Sequence, residues 1–237
     1  TKIYLLMKTY SLIKQILLGS ILVLNLKLSF GADWPMWGRD GTRNMVSDEK
    51  NIILDFNPGE MNDDEVVDMK TTNNVKWVAK LGSQAYGNVT IGNGCVFVGT
   101  NNESPRDPGK IGDRGVVMCL DEKTGELKWQ LVIPKLGAGK VSDWEYIGIC
   151  SSAAIEGDKV YVVTNRCEVV CLDINGLADG NDGPFKDEAA YVRPKGLKDE
   201  LNPKLDADIL WMYDMRDELG VFPHNVTSSS PVIVGDN

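Results

Sequence analysis

The sequence predicts an all-β protein, a β-propeller made of four-stranded blades with part of the ring present in this chain. Three observations lead there. A motif recurs along the chain, short β-branched runs are cut by Gly and Asn turns, and no helical period is long enough to compete. At 237 residues, 43% hydrophobic and 25% charged, the chain can bury a core and lies outside the range of disordered sequences.

In chain order, the first element is a targeting segment. Lys2, Lys8 and Lys14 precede an apolar run from Ile16 to Leu26, and small residues follow at Ser29 and Gly31. That order predicts a secretory signal over residues 1–31, cleaved after Gly31 because small residues then fall at both −1 and −3. The competing reading is an uncleaved anchor, although the apolar run is short for a full span. No cysteine follows the run, so lipid anchoring is not expected, and the mature protein is expected in the periplasm or secreted, with no stable membrane insertion after cleavage.

Residues 32–74 read as an opening segment with an acidic surface insertion around Asp63, Asp64, Glu65 and Asp68. The repeat region, 75–237, begins with a strand around Trp77. One unit reads VTIGNGCVFVGT and then GVVMCLDEKTGELKWQ; the next reads AAIEGDKVYVVTNRCEVVCLD and then ADILWMYD. A third begins SSSPVIVGDN, and the chain stops inside the hairpin that the other units complete. Ile91 and Ile155 are 64 apart and Cys119 and Cys171 are 52 apart, so insertions of unequal length enter at loops. Each unit holds four strands. Repeated sheets of this kind bury their faces against neighbours, which is the logic of propeller blades.

The stretch CLDEKTGELKW has its own local logic. Asp121 is placed to accept hydrogen bonds from turn amides, Thr124 adds a hydroxyl and Gly125 supplies the positive φ of the turn. Trp129 then falls on the outer strand, where it can pack between blades. The second copy keeps Asp173 but replaces the Thr-Gly turn by a longer excursion before Trp211.

This pattern, read on Cys119, Asp121, Thr124, Gly125 and Trp129, resembles the tryptophan-docking repeat of the PQQ-like β-propellers, with cysteine at the usual alanine position. The segment ADWPMWGRDGTRN also resembles the start of exported PQQ-repeat proteins of planctomycete type. The resemblance covers roughly Val75 to Asn237 and implies a ring of eight blades when complete, so the chain reads as a fragment of a longer protein. It implies either a binding or interaction scaffold or a periplasmic quinoprotein dehydrogenase that oxidises alcohols or sugars with PQQ and calcium. An outer-membrane assembly factor shares the fold, but that class is normally lipid-anchored.

In a propeller, ligands sit where loops gather at one end of the blades. The loops Ser83 to Asn88, Asp143 to Ser152 and Val221 to Ser230 supply Tyr86, Trp144, Glu145, Tyr146, His224 and Asn225, a polar and aromatic set suited to a protein or small-molecule ligand. His224 is the sole histidine, with no triad pattern beside it. No adjacent cysteine pair of the kind that stacks on the quinone is present, and no catalytic residue is assigned. Asp179, Asn181 and Asp182 lie in DINGLADGNDG, which reads either as a calcium loop or as a solvated Asx-rich turn, since the spacing misses the EF-hand pattern.

Charge excludes one partner class. Without residues 1–31 the chain would carry 21 basic against 34 acidic residues, a surface that repels nucleic acid. The five cysteines sit among Val, Leu and Ile, which favours buried thiols; a Cys167–Cys171 disulfide is the alternative.

Overall fold

A computed structural model describes residues 32–193 and 201–235. The predicted signal segment therefore lies outside the described residues. Residues from Asp33 onward belong to one compact unit.

The structure is mostly antiparallel sheet. A two-stranded hairpin, β1 (Glu60–Met61) and β2 (Val67–Asp68), comes first. The first large sheet follows, with β3 (Thr90–Gly92), β4 (Cys95–Asn101), β5 (Arg114–Asp121) and β6 (Leu127–Pro134) hydrogen-bonded in chain order. The second repeats that meander with β7 (Ala154–Glu156), β8 (Lys159–Val163), β9 (Glu168–Asp173) and β10 (Ile209–Asp214). Two short helices, α1 (Glu188–Tyr191) and α2 (Met215–Leu219), flank β10.

Alternation of side chains builds two cores from the first sheet. Cys95, Phe97, Val117, Cys119, Trp129, Leu131 and Ile133 point toward the second sheet, where they meet Ile155, Val160, Val162, Val170 and Leu172. The intervening residues Val96, Val98, Val116, Met118, Leu120 and Val132 form a separate cluster on the opposite face. Such residues alternate because the side-chain period of a strand is two. β4 and β5 are therefore buried on both faces.

The cover on that opposite face departs from the sequence expectation. Residues 75–81 form no strand; Trp77, Ala79 and Leu81 lie over the valine cluster as an irregular segment, fixed by side-chain burial rather than a ladder. Residues 231–234 likewise form no strand, for want of a paired neighbour.

Two connections tie the sheets together. Trp34 exchanges both backbone hydrogen bonds with Ile91 of β3, at 2.9 Å each, and the carbonyl of Pro35 accepts from Ile155 of β7 at 2.7 Å. The excursion after β9 includes Lys186 to Asp206, a stretch dense in Lys, Asp, Glu and Pro that reads in the sequence as a solvated insertion, yet it returns to the first sheet. The Gln130 amide donates to Leu205 at 2.7 Å, the Ala207 amide donates to Gln130 at 3.0 Å, and Asp206 forms a buried ion pair with Lys110. Tyr191 and Val192 join the main core. Their apolar surface outweighs the polar composition that suggested a solvated loop.

Candidate functional site

Antiparallel meanders bring alternate connections to one edge. The three predicted loops precede β3, precede β7 and follow β10, so all three fall on the same edge of their sheets. Hydrogen bonds join them. The Asn88 amide donates to Ser152 Oγ at 2.9 Å, and the Ser152 amide to Ser230 Oγ at 3.0 Å. Farther out, the Trp144 amide donates to the Asn225 carbonyl and the Asn225 amide to the Val141 carbonyl, both at 2.5 Å.

Asn101, buried at the end of β4, is the hub of this edge. Its Oδ1 accepts from the Ser83 amide at 3.0 Å, and its Nδ2 donates to the Tyr146 carbonyl at 2.5 Å. Tyr146 is held from the other side by its amide, which donates to Asp113 Oδ2 at 2.9 Å, with φ at 59°. Gly148 completes the crossing. Its φ is 76°, and a Cβ there would come within 2.3 Å of the Thr100 carbonyl oxygen, so the close approach requires glycine.

On this frame the aromatic side chains stay open to solvent: Tyr86 is 63% exposed, Trp144 45% and Tyr146 47%. Tyr86 Oη donates to Gln84 Oε1 at 2.8 Å. Lys140 lies 5.7 Å from the Trp144 ring centroid and pairs with Glu145 at 3.2 Å. Beneath them, Asp143 is buried and bound by Lys135, the Leu136 amide and Asn165 Nδ2. His224 is exposed at the surface of the third loop, and Asn225 has φ of 65°. The structure thus gathers the predicted loops and leaves their rings outward. Sequence reading missed Phe222, which is exposed in the same loop, and the buried hubs Asn101 and Asp143. Phe222 was legible inside VFPHNV; the hubs depend on long-range packing that no local pattern encodes.

The motif residues occupy the opposite edge. Asp121 Oδ1 accepts from the amides of Lys123 and Thr124 at 2.9 Å each and from Thr124 Oγ1 at 3.2 Å. The Thr124 and Lys123 amides hold the carboxyl of Asp121 below its usual value. Gly125 has φ of 74°, and a Cβ there would fall 2.5 Å from the Trp77 ring. Trp77 lies on this turn and donates from Nε1 to the Glu122 carbonyl at 3.0 Å. The same contact recurs one unit later: Trp129 donates to the Ile174 carbonyl at 2.7 Å, and a Cβ on Gly176 would fall 2.8 Å from its ring. In both cases the acceptor follows the motif aspartate, Asp121 or Asp173. Asp173 accepts from the Asn175 amide at 2.7 Å, and burial pushes its carboxyl up. Trp211, the third of the series, is 38% exposed and packs on Tyr161 with ring centroids 6.0 Å apart.

In the Asx-rich loop, Asn175 Nδ2 donates to Asp179 Oδ2 at 2.9 Å, and Lys186 Nζ donates to Asn181 Oδ1 at 2.7 Å and to the Asp182 carbonyl at 3.2 Å. An ammonium group thus takes oxygens that a calcium ion would need. Among the described residues no three His, Cys, Asp or Glu side chains gather so as to hold a metal. Behind the loop, the Asp182 amide donates to Asp208 Oδ2 at 2.8 Å. Burial first, then nearby Glu188, pushes Asp208 up to about 6.

All five cysteines are buried free thiols. Among the described residues no helix is long and apolar enough to cross a membrane. No protein-family model matches this chain, and no curated protein matches it.

Proposed function

We propose that this protein is an exported PQQ-like β-propeller repeat protein whose loop edge serves as a binding platform for a protein or small-molecule ligand. The observation that carries the platform is the hydrogen-bonded union of three loops at one edge, with Tyr86, Trp144 and Tyr146 exposed above a buried polar base. Exposed, rigidly mounted aromatics give contact area at low entropic cost. The propeller reading is supported by the recurring dock, Trp77 onto the turn after Asp121 and Trp129 onto the turn after Asp173, between two consecutive four-stranded meanders. A contact that passes from whatever covers a sheet to that sheet's own turn can be propagated around a ring.

The test is a calorimetric titration of PQQ, with and without calcium, into the protein freed of cofactor, followed by dye-linked oxidation assays with alcohols and sugars. The scaffold reading expects no turnover. Calcium-dependent PQQ binding accompanied by substrate oxidation would replace it with the quinoprotein dehydrogenase reading.

A further inference from the structure

At the edge away from the binding loops, Cys95 opens β4 and Cys119 lies near the end of β5. The register pairs Cys95 with Asp121 and Phe97 with Cys119, so the two thiols are diagonal neighbours on the face toward the second sheet. Lys128, at the start of β6, reaches over and donates from Nζ to Cys95 Sγ at 3.2 Å. A cavity of about 260 Å³ adjoins them, lined by Asn93, Cys95, Lys128, Gly157, Asp158 and Asn175 among others.

From this cluster we infer that Cys95 is a peroxide-reactive thiol, a modification site in which Cys119 and Lys128 stabilise the thiolate and the cavity admits a small hydroperoxide. The site is separate from the proposed binding platform and does not depend on it. Two features of the geometry give it force. Cys95 is 1% exposed but lines a cavity, which excludes bulky electrophiles while leaving room for a peroxide. It also has a cation in contact with its sulfur, the setting in which thiols become nucleophilic.

The groups facing Cys95 act in opposite directions. The Cys119 thiol, donating to the Cys95 sulfur, lowers its pKa most; burial opposes this, Lys128 adds to the lowering, and Asp121 opposes weakly. Asp158 borders the cavity from the β7–β8 turn. Cys119, as the donor and fully buried, is pushed up. The other thiols lack this arrangement: burial raises Cys150 and Cys171 to about 11 each.

The Cys95 thiolate attacks one peroxide oxygen; the S–O bond forms as the O–O bond breaks, sulfur loses two electrons, and the departing hydroxide or alkoxide takes a proton from the Lys128 ammonium or from water. The product is a sulfenic acid. It either persists or condenses with the Cys119 thiol, forming a disulfide and releasing water. Both products report on Cys95.

The experiment exposes the full chain to substoichiometric hydrogen peroxide, traps sulfenic acid with dimedone and maps adducts and disulfides by mass spectrometry. Cys95 products should dominate among the five cysteines, and their rate should reach half its plateau well below pH of about 8.5, where an ordinary thiol ionises. Lys128→Met, at an exposed position, should slow the reaction at pH 7 roughly tenfold or more, and Lys128→Arg should restore most of it. Oxidation led by another cysteine or spread over all five would overturn the inference. So would a rate unchanged by Lys128→Met.

Discussion

On β6 of the first sheet, Trp129 is sealed at 1% exposure, opposite Cys119, and donates to the backbone of the second sheet's turn. At the matching place on β10, opposite Cys171, Trp211 remains 38% exposed and leans on Tyr161. The two sheets share strand order, strand direction and a tryptophan facing the same way. They differ in what covers that tryptophan. The first sheet is packed on both faces, by the second sheet and by the Trp77 segment, whereas the second leaves Trp211 and Tyr213 on its far face partly open. An identical residue in an identical topological place therefore has a different energetic role, set by whether a neighbour's turn receives it.

The largest test of that contrast is the pair Trp129→Ala and Trp211→Ala, compared by urea denaturation. Loss of a sealed tryptophan should cost about 3–5 kcal/mol, and loss of the half-open one less than about 1.5 kcal/mol. Equal costs would break the comparison. Next come the glycines beneath the docked rings. Gly125→Ala and Gly176→Ala should each cost about 1–3 kcal/mol, because both have positive φ and a new methyl group would strike Trp77 or Trp129. Gly157→Ala, with φ of 57° and open space around it, should cost about 1 kcal/mol and so separates backbone strain from collision.

The carboxylates should titrate with opposite signs. Asp208, pushed up by burial to about 6, gives a contribution that is fully present below pH of about 4 and is lost as pH rises through about 6. Asp208→Asn should remove that dependence, gaining about 1–2 kcal/mol at pH 7 relative to pH 4 after allowance for screening, as read from thermal melts at both pH values. Asp121 is held down by the Thr124 and Lys123 amides, so its contribution is present above pH of about 4 and fades as pH falls below that. Asp121→Asn should therefore cost more at pH 7 than at pH 3. Two shifts of the same sign would show that burial does not distinguish the two carboxylates. Smallest is Lys80→Ala, which removes an exposed pair with Glu65 at 2.9 Å between the β1–β2 hairpin and the Trp77 segment; a change above about 1 kcal/mol would mean that the cover depends on that pair.

Much of this architecture was legible because it is local. The alternation in CVFVGT and GVVMCL names both faces of the first sheet, and the Asp121 turn could be read down to its hydrogen bonds. The loops of the candidate site were legible as loops, and their shared edge follows from antiparallel counting. What escaped the sequence is non-local. Trp77 sits in no strand because its role is to cover a face, Asp206 is buried because Lys110 meets it from a distant loop, and Asn101 becomes a hub through residues far from it in sequence. The Cys95, Cys119 and Lys128 cluster escaped for the same reason, since it exists only once β4, β5 and β6 are in register.

The short stretch around Trp34 and Pro35 carries a consequence for how the chain acquires its shape. Pro35 waits for a partner about 120 residues downstream, so its bond to Ile155 closes one of the longest loops in the molecule. During synthesis the first sheet can zip up from neighbouring strands, while this clasp stays open until β7 has emerged. Closing the clasp is thus a long-range step added to the local growth of each sheet, of the kind that slows folding relative to pairing between neighbouring strands.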